Sequence, residues 1–318
     1  MDQLRHGVAW CLCAMFFLMV PLEFASLEWR LTPHGTWLIT PAEASSAPLA
    51  LVMAICSILV LVGSFVFVLC GCLRRFTHEQ RLLESTLQAR DIAYFTAWVQ
   101  TFNLFFTLML LLFPGLGEAM ALSLFTPYLP FCWMCLSAAW ILKGRWRQIG
   151  FVQLDSAFWV KVPLAVIGIY LLFVFVVDRH LTEWFADVCS LELSSWREDS
   201  ISEGIKQASG LNPLLVVLQL IAIGLIGPMA EEILFRGFLQ DWLTKDWGAG
   251  VGVMASALLF ALFHIDVPLL PTLFLLGMAL ALLKSWTKNL WAPILFHCFN
   301  NTIATLVDMS GSGLVGYF

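Results

Sequence analysis

Pro213-Leu-Leu-Val-Val-Leu-Gln-Leu-Ile-Ala-Ile-Gly-Leu-Ile-Gly-Pro-Met-Ala-Glu231-Glu232-Ile-Leu-Phe-Arg236 is apolar almost throughout, then sets two carboxylates and an arginine within its last six residues. In water such a trio on a helix has no cost. In hydrocarbon each charge costs roughly 2.5 to 3.5 kcal/mol near the bilayer centre, against about 0.3 to 0.6 kcal/mol returned by each Leu, Ile, Val or Phe. Three ionisable groups therefore cancel most of the insertion margin of the segment, and groups kept at that cost mark a functional site.

The rest of the chain shows that the solvent is a bilayer. Of 318 residues, 60% are hydrophobic and 12% charged, about half the charge of an ordinary globular domain, where roughly 25% is usual. Apolar runs of the length needed to cross a membrane, about 20 helical residues, lie near 7–26, 48–73, 92–113, 119–142, 162–178, 213–236, 250–265, 268–284 and 289–307. The fold expected is an all-α, polytopic transmembrane helix bundle of about nine spans. Arg5 and Ala25-Ser26 give the first run some traits of a signal peptide, but Glu23 and Phe24 spoil the cleavage site, and it reads as a span.

Basic residues stay on the cytoplasmic side. With the N-terminus inside, that side holds Arg5, Arg74, Arg75, Arg81, Arg90, Lys143, Arg145, Arg147, Lys161, Arg236, Lys245, Lys284 and Lys288, which is 13 of the 17 Lys and Arg. The other side holds Arg30, Arg179, Arg197 and Lys206. An N-terminus inside, and an integral multi-pass protein of the plasma membrane, or of the inner membrane if bacterial, is the expectation. The net charge of −5 includes no basic stripe, which excludes nucleic acid as a partner.

Residues 143–161, with Lys143-Gly-Arg-Trp-Arg147 and Trp159, read as an amphipathic surface segment. They suggest two parts: residues 1–142, N-terminal helices without a motif, and residues 143–318, a core whose motifs fall within 213–307. The acidic stretch 178–212 reads as a solvated outer loop, with a lid or docking element as the alternative. Eight of the nine cysteines sit in apolar runs and read as small hydrophobes. Cys132-x-x-Cys135 has no second Cys or His pair to make it a metal or redox site.

Two histidines, His264 and His297, fall inside hydrophobic segments, whereas His6, His34, His78 and His180 read as terminal or loop residues. Each of the two has an i,i+4 partner, in Phe260-x-x-x-His264 and His297-x-x-x-Asn301, which places the pair on one helical face. Glu232 and Arg236 share that spacing and can neutralise each other, while Glu231 points about 100° away and is left to face a shared site. Depth decides how the segments meet. If the helix bearing Glu231 ends at Phe235, the carboxylates lie roughly 21 Å from the level of His264; if it continues to a turn at Gly248-Ala-Gly250, Glu231 stands about 18 Å above that turn, level with His264, His297 and Asn301. The long helix is therefore expected.

A buried carboxylate is a suitable general base for water, and a histidine across the site can share the proton work. His297 and Asn301 can donate to an oxygen that becomes negative when a carbonyl is attacked. The pattern suits peptide hydrolysis.

Glu-Glu-x-x-x-Arg followed by Gly237, then Phe-x-x-x-His, then His-x-x-x-Asn, in this order on successive hydrophobic segments, resembles the CAAX protease and bacteriocin-processing family, which includes Rce1-type prenyl endopeptidases and abortive-infection-like bacterial membrane proteins. The resemblance covers about residues 213–307. It implies an intramembrane endopeptidase of glutamate type acting on a membrane-associated or lipid-tailed peptide or protein. In that family's terms Glu231 and His264 would activate water, His297 and Asn301 would form the oxyanion site, Glu232 and Arg236 would organise the base, and Phe260 would pack the site. No cofactor is implied. Two alternatives stand beside it. In one, Glu231, His264 and His297 hold zinc and leave an open position; in the other, the same groups serve a non-enzymatic transporter or scaffold.

Overall fold

The computed structural model describes residues 2–75, 87–117, 120–156 and 158–310; His78 and Arg81 of the basic loop lie outside the described residues. The chain divides into two compact units. One comprises Met1–Ser26 and Ala42–Gln148, the other Leu27–Pro41 and the chain from Ile149 onward.

The first unit is built from α1 (Asp2–Ala25), α2 (Ala47–Arg75), α3 (Ala89–Leu112) and α4 (Leu129–Leu142). Helix α1 packs on both α2 and α3, with Ala9 and Leu12 fully buried. Leu12 lies against Gly63 of α2, where a Cβ would meet its Cδ2 at 3.1 Å. Arg5 sets its guanidinium 4.7 Å from the Phe67 ring centre and 5.4 Å from that of Tyr94, an arrangement in which the charge finds a π face inside an apolar bundle.

The second unit begins with a hairpin that the sequence does not announce, β1 (Leu27–Leu31) and β2 (Trp37–Pro41), paired antiparallel with Leu31 opposite Trp37. Its helices are α5 (Phe158–Cys189), α6 (Trp196–Leu211), α7 (Pro213–Trp247), α8 (Ala249–Phe263), α9 (Leu270–Thr287) and α10 (Trp291–Ser310). Strand β2 also bridges to Leu191 just after α5, through Trp37 N–H to Ser190 O (2.7 Å) and Glu192 N–H to Trp37 O (2.8 Å). Ile39, Ala186 and Leu191 form the apolar core of that junction.

The helical expectation holds, with this hairpin as its exception. Each of the nine apolar runs contains helix. Among the described residues six helices are long and apolar enough to cross a membrane: Asp2–Ala25, Ala47–Leu73, Ala89–Leu112, Phe158–Cys189, Pro213–Trp247 and Leu270–Thr287. Two apolar helices are shorter, Thr126–Leu142 and Ala249–Phe263, and the ninth run is α10. His180 is helical rather than in a loop.

One segment differs from expectation in its secondary structure. The acidic stretch 178–212 is not a solvated loop; it forms the end of α5 and the whole of α6, because Ser195 caps α6 by accepting from Glu198 N–H (3.2 Å). Within 143–161, Trp146–Ile149 is a single 3-10 turn whose Ile149 is fully buried. It rests on Gly237, where a Cβ would meet Ile149 Cβ at 3.2 Å.

Helix α7 takes the long form. Asn212 accepts from Leu214 N–H (2.8 Å) and Pro213 occupies the first turn, so the start is capped twice over. The helix then runs past Arg236 and stops at Gly248, whose φ of +91° favours glycine. It is not uniformly α: Ala222–Ile226 and Ile233–Leu239 are π-wound, and the α segment Gly227–Glu232 lies between them.

Candidate active site

Helix α7 places Glu231 and Glu232 at the junction between an α and a π stretch, the kind of local distortion frequently found at functional sites. A π stretch frees carbonyls from their ordinary partners, and neighbouring helices supply replacements here. Ser256 of α8 donates its hydroxyl to Phe235 O at 2.9 Å. Asn301 of α10 directs Nδ2 to Ile223 O at 3.5 Å, the long limit of a hydrogen bond. Below the carboxylates α7 is tied to α9 by three polar rungs: Arg236 Nη2 to Gly277 O (3.0 Å), Gln240 Nε2 to Ala281 O (2.9 Å) and Lys284 Nζ to Asp241 Oδ1 (2.6 Å).

Glu232 and Arg236 are both 0% exposed and pair at 2.8 Å, as their spacing predicts. The guanidinium also lies over the Phe260 ring, 4.4 Å from its centre. Glu232 Oε1 has a second partner that no sequence spacing indicates: His297 Nδ1, at 2.9 Å. The hydrogen-bond network thus assigns the Nδ1 proton of His297 to Glu232, leaving Nε2 to face Glu231 Oε2 at 3.8 Å. That gap exceeds a direct hydrogen bond and suits a bridging water. Glu231 is the less enclosed of the two carboxylates, its side chain 14% exposed.

Phe260 touches nearly every part of the site. Its ring centre is 4.6 Å from that of His264 and 5.6 Å from that of His297. Helix α9 comes close beside it, since a Cβ on Gly277 would meet Ala257 O at 3.0 Å and Phe260 Cδ1 at 3.1 Å. His264 caps the end of α8 and sets Nδ1 2.8 Å from Phe260 O. The carbonyl needs a donor, so the proton belongs on Nδ1 and Nε2 is the basic atom.

Glu231, Glu232, Arg236, Phe260, His264 and His297 therefore form one connected group on α7, α8 and α10. Asn301 lies one turn beyond His297, and its buried neighbour Asn300 has Nδ2 3.5 Å from Asn301 Oδ1. Among the described residues no three His, Cys, Asp or Glu side chains converge as a metal-holding group.

Two residues that sequence reasoning passes over also reach the site from α6. Arg197 donates from Nη1 to His264 O at 2.7 Å, and Trp196 from Nε1 to Ile265 O at 3.3 Å. The Ser195-x-x-Glu198 spacing, a capping-box pattern, is the signal that would have found a helix here.

Comparison with known proteins bears on the same residues. Residues 213–303, which contain all three motifs, match the family model described as type II CAAX prenyl endopeptidase Rce1-like. The chain is 29% identical over 113 residues to a putative membrane peptidase, YdiL, of Bacillus subtilis, an alignment covering 36% of this chain and 45% of that protein. It is also 29% identical over 93 residues to the membrane-embedded CAAX protease MroQ of Staphylococcus aureus, covering 27% of this chain and 38% of that one. The chain thus spans less than half the length of either relative. No solved structure matches. With its spanning helices and membrane-embedded relatives, the chain is an integral, multi-pass membrane protein.

Proposed function

We propose that this protein is an intramembrane endopeptidase that hydrolyses a peptide bond of a membrane-associated or lipid-tailed substrate by direct attack of water. The observation that carries the proposal is the pairing of Glu231 Oε2 with His297 Nε2 across 3.8 Å, while the other ring nitrogen of His297 is held by the buried Glu232–Arg236 pair. One carboxylate is committed to structure and the other is left for chemistry.

In this mechanism Glu231 takes a proton from water as its oxygen attacks the carbonyl carbon. The carbonyl oxygen becomes an oxyanion, which receives a hydrogen bond from the second amide hydrogen of Asn301 and a second from His297 Nε2 when the imidazole carries a proton on both nitrogens, Nδ1–H staying on Glu232. As the C–N bond breaks, the proton held by Glu231 passes through His264 to the leaving nitrogen. Desolvation strengthens each of these interactions. The relatives named a CAAX protease and a membrane peptidase support a peptide substrate, and a lipid tail is the feature that would bring one to a site at this depth. We place the N-terminus inside, following the basic residues.

We propose the metal-independent form; a zinc-dependent form would use Glu231, His264 and His297 as ligands and leave an open position. The test is purified protein in liposomes, incubated with quenched fluorescent peptides with and without a farnesyl group. Cleavage is expected to survive chelation and to fall by about 10² to 10⁴ in both Glu231→Ala and His264→Ala, the usual range for an acid–base group. Cleavage indifferent to both substitutions sinks the assignment, and loss on chelation restored by zinc favours the metal form.

A further inference from the structure

Three consecutive residues at the start of α6 grip three consecutive residues of the turn after α8, in reverse order. Ser195 donates its hydroxyl to the Asp266 carboxylate, Trp196 donates Nε1–H to Ile265 O (3.3 Å), and Arg197 donates Nη1–H to His264 O (2.7 Å). Asp266 and Ser195 are buried. The gripped turn is strained: Ile265 has φ of +52°, a left-handed conformation that is an outlier for a β-branched residue. Such strain persists only where the surroundings over-determine it, and it clusters at active sites. The residue just before it is His264.

We propose that the tip of α6, with Arg197 as its principal contact, is a positioning clamp that holds the His264–Ile265 turn in this left-handed form and so fixes the direction of the His264 imidazole. The ring is bonded to its own helix at Phe260 O, which sets ring tilt, and Ile265 N–H donates to Leu262 O (3.2 Å), but neither bond fixes the rotation at Ile265 that carries its carbonyl and Asp266. Arg197, Trp196 and Ser195 bind the two carbonyls and the carboxylate whose positions define that rotation. Asp266 in turn accepts from Leu269 N–H (3.4 Å), just before α9, so the clamp carries on into the next helix. The segment responsible lies outside residues 213–303, the part matched by the family model; this chain completes its site with an element that precedes the motifs. The inference rests on the peptidase reading for the role of His264, but the restraint itself is independent of it.

The test compares the full-length chain in liposomes with Arg197→Ala, Arg197→Lys and Arg197→Ala/Ile265→Gly, using the quenched farnesylated peptide and amide hydrogen exchange over residues 264–269. Arg197→Ala is expected to lower kcat by about 10- to 100-fold, the scale of a misaimed catalytic group, with KM within about twofold. Exchange in the turn should quicken by about tenfold as its local opening becomes easier. Lysine, still a donor to the carbonyl, should restore part of kcat. Glycine at 265, which adopts the left-handed form without restraint, should restore part of it in the double variant. A raised KM with unchanged kcat would show that Arg197 holds substrate and overturn the clamp, as would unchanged exchange in Arg197→Ala. If no variant, nor the unaltered chain, cleaves the peptide while exchange responds as described, the peptidase reading fails and the clamp stands.

Discussion

Glu231 and Glu232 are chemically identical neighbours whose surroundings give them different work. Glu232 is enclosed by Arg236 and His297, and breaking such a buried pair from one side leaves an uncompensated charge, at about 3 to 5 kcal/mol. Arg236→Ala is therefore expected to lower the thermal midpoint sharply in detergent, whereas Glu231→Gln should leave it nearly unchanged while abolishing cleavage. Arg236→Lys is not a mild change either: the guanidinium serves Glu232, Gly277 O and the Phe260 face at once, and an ammonium has neither the fork nor the plane to do so. Its unfolding midpoint should fall towards that of the alanine variant. At this scale the sequence was informative wherever one helix supplied both partners. Glu232 with Arg236 and Phe260 with His264 follow from i,i+4 spacing; His297 on Glu232 and Arg197 on His264 join separate helices, and spacing carries no information about them.

Among the helices, α7 shows how far pattern reading extends. Its length was recoverable, because charges at one depth demanded a helix continuing to Gly248. Its two π-wound stretches were not, since one residue of extra winding leaves no trace in hydrophobic periodicity. Ser256 reveals where the winding is secured. Ser256→Ala removes the donor to Phe235 O and should cost about 1 kcal/mol, the net value of one such bond, visible as a small drop in midpoint. Helix α6 is illegible for a different reason: its acidic composition imitates a solvated loop, although Glu198 is turned inward. Burial first, and then the carboxylates of Asp266, Asp178, Asp308 and Asp199, push the pKa of Glu198 up to about 8 from 4.5. A raised folded-state value for an acid means that stability is fully present below about 4.5 and is lost as pH rises towards about 8. The midpoint should fall across that window and level off above it. Glu198→Gln should remove this part of the decline.

At the level of the whole chain, the two units answer to different rules. The first is a set of apolar helices whose sequence contains no chemistry-bearing motif, and the second holds every residue of the proposed site. The units divide at Gln148, and the hairpin breaks the linear order by joining residues 27–41 to the second unit. A chain begun at Ile149 would therefore lose the partner of Ser190 and Glu192, and amide exchange across 185–193 is the expected place to see it. The proposed orientation can be checked through Cys189, which is exposed and free: as the single remaining cysteine it should react with an impermeant maleimide from outside intact cells.

The same hairpin sets a clock on biosynthesis. Trp37 must wait for Leu191, 154 residues later in the chain, and at about 5 to 20 residues per second that is roughly 8 to 30 s. During that interval a two-stranded ribbon, too small to be stable alone, has left the ribosome without the surface that completes it. The nascent chain thus displays an unpaired strand edge while several helices are still being threaded into the bilayer, and that edge is where a chaperone or a neighbouring copy would compete with the native partner.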